Sequence, residues 1–283
     1  MKDVEIETKN SHHFFRTLFF IIILIIVLFI IYGKFLGNSG LIIKEYEITS
    51  KDIPSSFDNF KIVHFSDILY SKSEDINYFD DLIEKINAKK VDIIIFSGNL
   101  TNNYKLNEKE INEITSKLSK LKAKYGKYYI IGIEDKDNPS YDSIMTNSNF
   151  ISLNDNKDVI YSTSKEQILL LGIDSNGSTS FISDAIKESD VNYKIVIFNE
   201  SDRIDEIKNF NFNLALSSNS LNGQINIPIL KEFFLREGSE KYIEPYYKVN
   251  NTDLYISSGI GTDKINFRLF NKPSINLYKL KNM

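Results

Sequence analysis

The chain has 283 residues, 42% of them hydrophobic and 25% charged, with a formal net charge of −4. That composition suits a folded protein with a sizeable core, and it leaves no basic excess to neutralise a phosphate backbone, which excludes a nucleic-acid partner. The lack of cysteine excludes disulfides and thiolate metal sites, and the three histidines are His12, His13 and His64, so no imidazole lies beyond residue 64.

Residues 1–16 form a polar tail of mixed charge. Residues 17–36 form an apolar segment with no charge from Thr17 to Gly33, bracketed by Arg16 and Lys34. Phe14–Leu36 is long enough as a helix to cross ~30 Å of hydrocarbon at ~1.5 Å per residue. A signal peptide would carry an apolar region of about 7–15 residues before a small-residue cleavage site. The run here is longer, and Gly37-Asn38-Ser39-Gly40 is a weak cleavage candidate, so a single-pass anchor is expected. Lysine and arginine counts on the two sides nearly balance and leave the orientation open.

Residues 41–283 are expected to form one soluble domain with no internal repeat. Leu41–Ser50 alternates and reads as an edge strand. Lys61-Ile62-Val63-His64-Phe65 is an apolar run closing on Ser66-Asp67. Asp75–Lys89 carries a helical stripe of Ile76, Phe79, Leu82, Ile83 and Ile86. A second apolar run, Asp92–Phe96, ends in Ser97-Gly98-Asn99-Leu100-Thr101-Asn102. Two such runs bridged by a helix make a βαβ unit, with ligands expected beyond the carboxyl ends of the strands. Leu106–Lys124 reads as a helix, Tyr128–Ile133 as a third strand and Ser140–Thr146 as a short helix. Asp158–Ser162 and Gln167–Ile173 read as a hairpin-type pair. Ser180–Glu188 and Arg203–Lys208 read as helices. Lys194–Phe198, Asn213–Leu216, Tyr242–Val249, Leu254–Ser258 and Ile275–Leu280 read as strands.

The order of strand, Ser-Asp, helix, strand and Gly-acid-Leu-Thr resembles the calcineurin-like metallophosphoesterases, closest to their small membrane-anchored bacterial branch. The resemblance covers essentially the whole soluble domain. It implies an α/β fold, a four-layer sandwich of two stacked mixed sheets flanked by helices and preceded by one transmembrane helix. The family's Asp-x-His reads here as Asp67-Ile68-Leu69, and its Gly-Asp reads as Gly98-Asn99. Its Gly-Asn-His-Asp reads as Gly132-Ile133-Glu134-Asp135. The strand ending in His is matched by Phe198-Asn199-Glu200. The Gly-His-Thr-His-Gly-Gly-Gln-Ile block is matched by Ser218-Asn219-Ser220-Leu221-Asn222-Gly223-Gln224-Ile225. Tyr255–Thr262, Phe267-Arg268 and Asn271-Lys272-Pro273 resemble the family's C-terminal signature.

The chemistry departs from the family's pattern. A two-metal phosphoesterase holds cations ~3.5–4 Å apart, which needs anionic ligands and a bridging carboxylate. The resemblance places Asn99 at that bridge and sets Leu69, Asn199, Asn219 and Leu221 where imidazoles belong. Ile133 replaces an amide ligand, and Glu134 stands at the catalytic-histidine position. Asp67 is the one first-ligand candidate left. With no histidine after residue 64, no register of the sequence builds a multi-histidine site.

Two readings follow: a catalytically degenerate scaffold acting as a binding or interaction module with no cofactor, or a hydrolase with a reduced oxygen-ligand site. The second would hold a divalent ion (Mg, Mn or Ca) on Asp67, Glu134 and Asp135. The bland alternatives are that Asp67 caps a turn or the next helix and that Glu134 and Asp135 are solvated loop acids. On the same footing, His64 is a satisfied structural side chain, the three asparagines are turn residues, and Tyr242, Tyr246 and Tyr247 pack under a loop. The expected partner is the membrane through the apolar helix, with the soluble domain extracytoplasmic. The sequence names no protein or small-molecule partner.

Overall fold

The computed structural model describes residues 2–71, 77–102, 104–162, 164–189, 191–228 and 230–283. Helix α1 (Lys2–Ile31) includes most of the stretch expected as a polar tail and continues into a π-helical turn, Tyr32–Leu36. Within it, His13–Leu36 is long and apolar enough to cross a membrane, with a mean hydropathy of 3.1.

Two six-stranded mixed sheets follow. The first is built from β1 (Ile42–Ser50), β2 (Lys61–Phe65), β3 (Val91–Phe96), β4 (Ala123–Tyr129), β5 (Ile151–Ser152) and β12 (Ser274–Asn282), in the order β1-β12-β2-β3-β4-β5. The second is built from β6 (Asn156–Tyr161), β7 (Gln167–Ile173), β8 (Lys194–Glu200), β9 (Leu214–Ser218), β10 (Tyr246–Val249) and β11 (Thr252–Ile256), in the order β10-β11-β9-β8-β7-β6. β2, β3 and β4 are parallel, as are β7, β8 and β9, so each sheet presents three carboxyl ends together. The expected hairpin is present, with Tyr161 opposite Gln167.

The apolar runs look continuous because both faces of each sheet are buried. Successive strand residues point to opposite faces. Val63, Phe65, Ile94 and Phe96 pack against Phe79, Leu82 and Ile86 of α2 (Asn77–Ala88) and Ile114 and Leu118 of α3 (Glu108–Leu118). α4 (Tyr141–Asn147) joins the same layer through Tyr141, Ile144 and Met145. Ile62, Ile93 and Ile95 point the other way and meet Ile168, Leu170, Ile195 and Ile197 between the sheets. On the far side, Ile182 of α5 (Ile182–Ser189) and Ile204 of α6 (Ile204–Ile207) cover Ile173, Val196 and Phe198. The result is helix, sheet, sheet, helix. Each isoleucine fully buried in this way contributes ~1.5–3 kcal/mol.

Three boundaries differ from the sequence reading. Positions 75 and 76 of the expected first domain helix lie outside the described residues. α3 ends at Leu118 rather than Lys124, and β4 begins at Ala123 rather than Tyr128. The Ala-Lys-Tyr-Gly-Lys start of β4 looks too polar for a central strand. It is accommodated because Lys127 donates to the carbonyls of Leu118 and Ser148 and lies 4.8 Å from the Phe150 ring centroid. Those carbonyls lie at or just beyond the ends of α3 and α4, where intrahelical donors run out. α3 starts where it does because Asn107 and Glu110 cap each other's backbone N–H, each at 3.0 Å.

Candidate functional site

The carboxyl ends of β2, β3, β8 and β9 and the turn after β4 meet at one depression, of about 390 Å³, lined in part by Ile133, Glu134, Asn219, Arg236 and Asp263. Asp67, Asn99, Asn199 and Asn219 lie at its floor, all wholly buried. The Asn99 amide donates to Asp67 Oδ1 at 2.7 Å and to Asn219 Oδ1 at 3.2 Å. Its own oxygen accepts from Glu134 N at 3.0 Å. Asn199 Oδ1 accepts from Ile133 N at 3.0 Å, while its amide donates to Ser97 O and Ser218 Oγ. The structure thus brings Asp67, Asn99, Ile133, Glu134, Asn199 and Asn219 together through direct hydrogen bonds. The asparagine amides are satisfied by one another, by Asp67, by Ser218 and by nearby backbone groups.

Backbone geometry at these positions is unusual. Asp67, Leu69, Asn99, Asn219 and Leu221 all have positive φ, between 49° and 64°. Asparagine and aspartate tolerate that region, but leucine does so at a cost of order 1–3 kcal/mol. Leu69 and Leu221 are 3% and 1% exposed and pack over Gly261 and Gly259, so tertiary contacts hold the strain. These loops place buried hydrocarbon, Leu69 and Leu221, beside the polar cluster. Gly98 and Gly132 are required by close approach, since a Cβ on Gly98 would fall 2.5 Å from Gly132 N.

Four expectations change. Among the described residues Asp67 caps no helix: its carboxylate accepts from Ser66 Oγ at 2.5 Å, from Asn99 and from Asn219 N at 3.2 Å. Burial pushes its carboxyl above the usual range, against the pull of Arg236 and these hydrogen bonds. Asp135 is not a solvated loop acid. It is 2% exposed and accepts from the backbone N–H groups of Asn99, Leu100 and Gly132. Burial raises its carboxyl to about 7, against those three donors. Glu134 is only partly solvated, its side chain 20% exposed, and burial raises its carboxyl against an ion pair described below. His64 is half satisfied: Nε2 lies 2.7 Å from Ser97 Oγ, and Nδ1 has no partner among the described residues. Burial lowers its pKa to about 3, which keeps the ring neutral.

Tyr242 and Tyr247 pack edge to face at 5.0 Å, and Tyr247 Oη accepts from Ile243 N and Glu244 N, so both are structural. Tyr246 is 46% exposed and rests on Tyr255.

The residue missed from the sequence is Arg236. It begins a short reversal, Arg236 to Ser239, turning through Gly238 at φ 72°. Its guanidinium enters the depression with the side chain only 5% exposed. Nη2 pairs with Glu134 at 2.7 Å, Nη1 lies 3.1 Å from Asp263, and Nε donates to Asn219 Oδ1 at 3.0 Å. A fixed cation therefore sits among the acids Glu134 and Asp263, one amide away from Asp67. Among the described residues, no group of three His, Cys, Asp or Glu side chains is placed to hold a metal ion. The donor set does not fit a pair of divalent cations. Asp67 and Asp135 are committed to internal donors, Glu134 to Arg236, and the guanidinium adds repulsion.

Three curated relatives align over most of the chain. YkuE of Bacillus subtilis, an uncharacterized metallophosphoesterase, is 28% identical over 262 residues, covering 88% of this chain and 89% of that protein. An uncharacterized metallophosphoesterase of Campylobacter jejuni is 25% identical over 260 residues, covering 90% of this chain and 67% of that one. YkoQ of Bacillus subtilis, with the same description, is 23% identical over 249 residues, covering 84% and 90%. No family model matches the chain. Among solved structures, the NAD nucleotidase of Haemophilus influenzae aligns with 71% of this chain at a TM-score of 0.46 and 13% identity, and the chain spans 45% of that protein. GAP50, the anchor in the inner membrane complex of Plasmodium, aligns with 71% of each chain at a TM-score of 0.44 and 9% identity.

Proposed function

The chain is a relative of the calcineurin-like metallophosphoesterases, and from that premise we propose that it is a membrane-anchored pseudoenzyme, a phosphoesterase scaffold serving as a binding or interaction module. The apolar span His13–Leu36 supplies the anchor, and the domain lies outside the cytoplasm, as the resemblance to the anchored branch implies. The observation that carries the reading is Arg236. A unit charge pair at 4 Å is worth about 4 kcal/mol near a protein surface, and a dication doubles that figure. A guanidinium fixed in the depression therefore opposes the very cations that would acidify a water and stabilise a phosphoryl transition state. The uncharged remainder supports the same reading. Asn99 carries no bridging charge, and Leu69 and Leu221 offer no donor atom.

The test is metal analysis of the full-length protein in detergent, with hydrolysis assays on p-nitrophenyl phosphate and bis-p-nitrophenyl phosphate with and without added Mn²⁺. The expected result is no stoichiometric metal and no turnover above the uncatalysed rate. Copurification of about two Mn, Fe or Zn ions per chain together with cleavage of the diester would overturn the proposal, since such a pair is the family's reactive unit. Asn99→Asp alone should not create activity. A restored set (Leu69→His, Asn99→Asp, Ile133→Asn, Glu134→His, Asn199→His, Asn219→His, Leu221→His) also has to remove Arg236.

A further inference from the structure

The loop from Gly261 to Phe270 is bonded at one end to the site and at the other to the apolar helix. On the site side, Gly261 N donates to Asp67 O at 2.7 Å, and Asp263 meets Arg236. On the helix side, Arg268 N donates to Gly33 O at 3.1 Å, capping a carbonyl that a helix end leaves without an internal partner. Asn38 and Asn266 hydrogen-bond through their side chains. The fit is close because both contact positions on the helix are glycine. A Cβ on Gly33 would fall 2.3 Å from the Phe267 ring, and one on Gly37 would fall 1.9 Å from Arg268 O. The π-helical turn at Tyr32–Leu36 sits at this docking point.

The loop also reaches back along the span. The Phe270 ring centroid lies 5.8 Å from that of Phe29 and 6.0 Å from that of Tyr32. Phe29 precedes Leu36, the end of the apolar span, by about 10 Å at ~1.5 Å per residue. Phe270 is nonetheless 56% exposed and Ile265 of the same loop 46%, while Phe35 and Leu36 at the end of the apolar span are 63% and 57% exposed. This apolar surface is continuous with the lipid-facing surface of the helix. Lys34, in the π-helical turn, and Lys264 and Lys272, within or just after the loop, are exposed, and Asp263, the one acid between residues 261 and 272, is held by Arg236. An apolar tip with a basic border suits an anionic bilayer surface.

We infer that the Gly261–Phe270 loop is a second membrane contact, with Phe270 and Ile265 in the bilayer interface, so that the domain lies against the lipid in one orientation. The inference rests on the anchoring proposed above. The surface it meets is lipid, because the patch begins on the helix that enters it.

The chain lacks cysteine, so a single introduced thiol reports from one position. Phe270→Cys, Ile265→Cys, Ile23→Cys and Tyr161→Cys, each labelled with a nitrobenzoxadiazole fluorophore, are reconstituted full length into phosphatidylcholine–phosphatidylglycerol vesicles carrying nitroxide lipids. Tyr161 is 61% exposed beside the amino end of β7, at the opposite end of the sheets from the loop. The expected result is quenching at positions 270 and 265 several-fold above that at 161, with an emission blue shift. Quenching at 23 but none above the control at 270 and 265 overturns the loop placement alone. No quenching at 23 overturns the anchoring and the loop placement together. Two loop positions guard against one label perturbing its own contact.

Discussion

Arg236 and Arg268 are both buried guanidinium groups acting on the Asp67 charge, and they differ in what they hold. Arg268 is wholly buried and donates to backbone carbonyls: Ser258 O at 2.8 Å, Gly261 O at 2.6 Å and Asn271 O at 3.3 Å. Burial lowers its pKa to about 10, against the pull of Asp67, so it stays charged at neutral pH. Arg236 instead meets two carboxylates and an amide oxygen. The first is a clamp that fixes the shape of the Ser258–Asn271 loop. The second balances the charge of a depression whose acids would otherwise face one another. One guanidinium belongs to the fold and the other to the site.

The comparison is broken most directly at Arg268. Arg268→Met leaves the carbonyls of Ser258 and Gly261 without donors in a dry interior. The expected loss is on the order of 4 kcal/mol, from unpaired groups at ~1–3 kcal/mol each and imperfect repacking. Urea unfolding of the full-length protein in mild detergent measures it. A loss under about 1 kcal/mol would show that water or a neighbour replaces the clamp.

Arg236→Met should cost less, about 2 kcal/mol, because Glu134 and Asp263 keep partial contact with water, 20% and 21% exposed, which can take over part of what the guanidinium supplied. Its more telling effect is on cation response. With the guanidinium gone, Glu134 and Asp263 face an uncompensated site, so millimolar Mn²⁺ or Mg²⁺ should raise the thermal midpoint of the variant and leave the wild type unchanged. An equal shift in both proteins would remove Arg236 from its charge-balancing role.

His64 sharpens the contrast at the smallest scale. It lies beneath the depression and is linked through Ser97 to Ser218. Its folded pKa is about 3 against 6.5 unfolded, so the stability it confers is present above pH 6.5 and is lost as pH falls toward 3. Asp135 runs the other way. With a folded value near 7, its contribution is complete at low pH and is lost as pH rises through 7. The two oppose each other across the same window. His64→Gln removes one of them, so relative to wild type it should gain about 2 kcal/mol between about pH 7.5 and about pH 5. Chemical unfolding at the two pH values checks this, and a constant difference between the proteins would refute the neutral buried ring.

The sequence placed the strand ends well because the apolar runs Lys61–Phe65 and Asp92–Phe96 stop abruptly at Ser-Asp and Gly-Asn. Those stops are local, and they bring Asp67 and Asn99 within one hydrogen bond. β4 was harder to place, because Lys127 looks like a surface residue until the carbonyls of Leu118 and Ser148 are in position to receive it. Arg236 was illegible for a similar reason. It sits in an irregular segment with no periodicity, and its partners Glu134 and Asp263 are 102 and 27 positions away in sequence. A charge count could have found it. In a chain with no histidine after residue 64, Asp67, Glu134 and Asp263 are acids in need of a cation, and a nearby arginine is the available one.

The glycine-lined end of the apolar helix limits how far the domain can reach. Between Leu36, where the π-helical turn ends, and Ile42, where β1 begins, the chain has residues 37–41, and Gly37 is pinned against Arg268 O. Even unpinned, such a tether spans at most about 18 Å at ~3.5 Å per residue, less than the diameter of a domain of this size. A module leashed so closely does not sample the volume beyond the lipid. If the apolar helix anchors it as proposed above, it searches in two dimensions, and whatever it binds has to come to it along the membrane or press up against its surface.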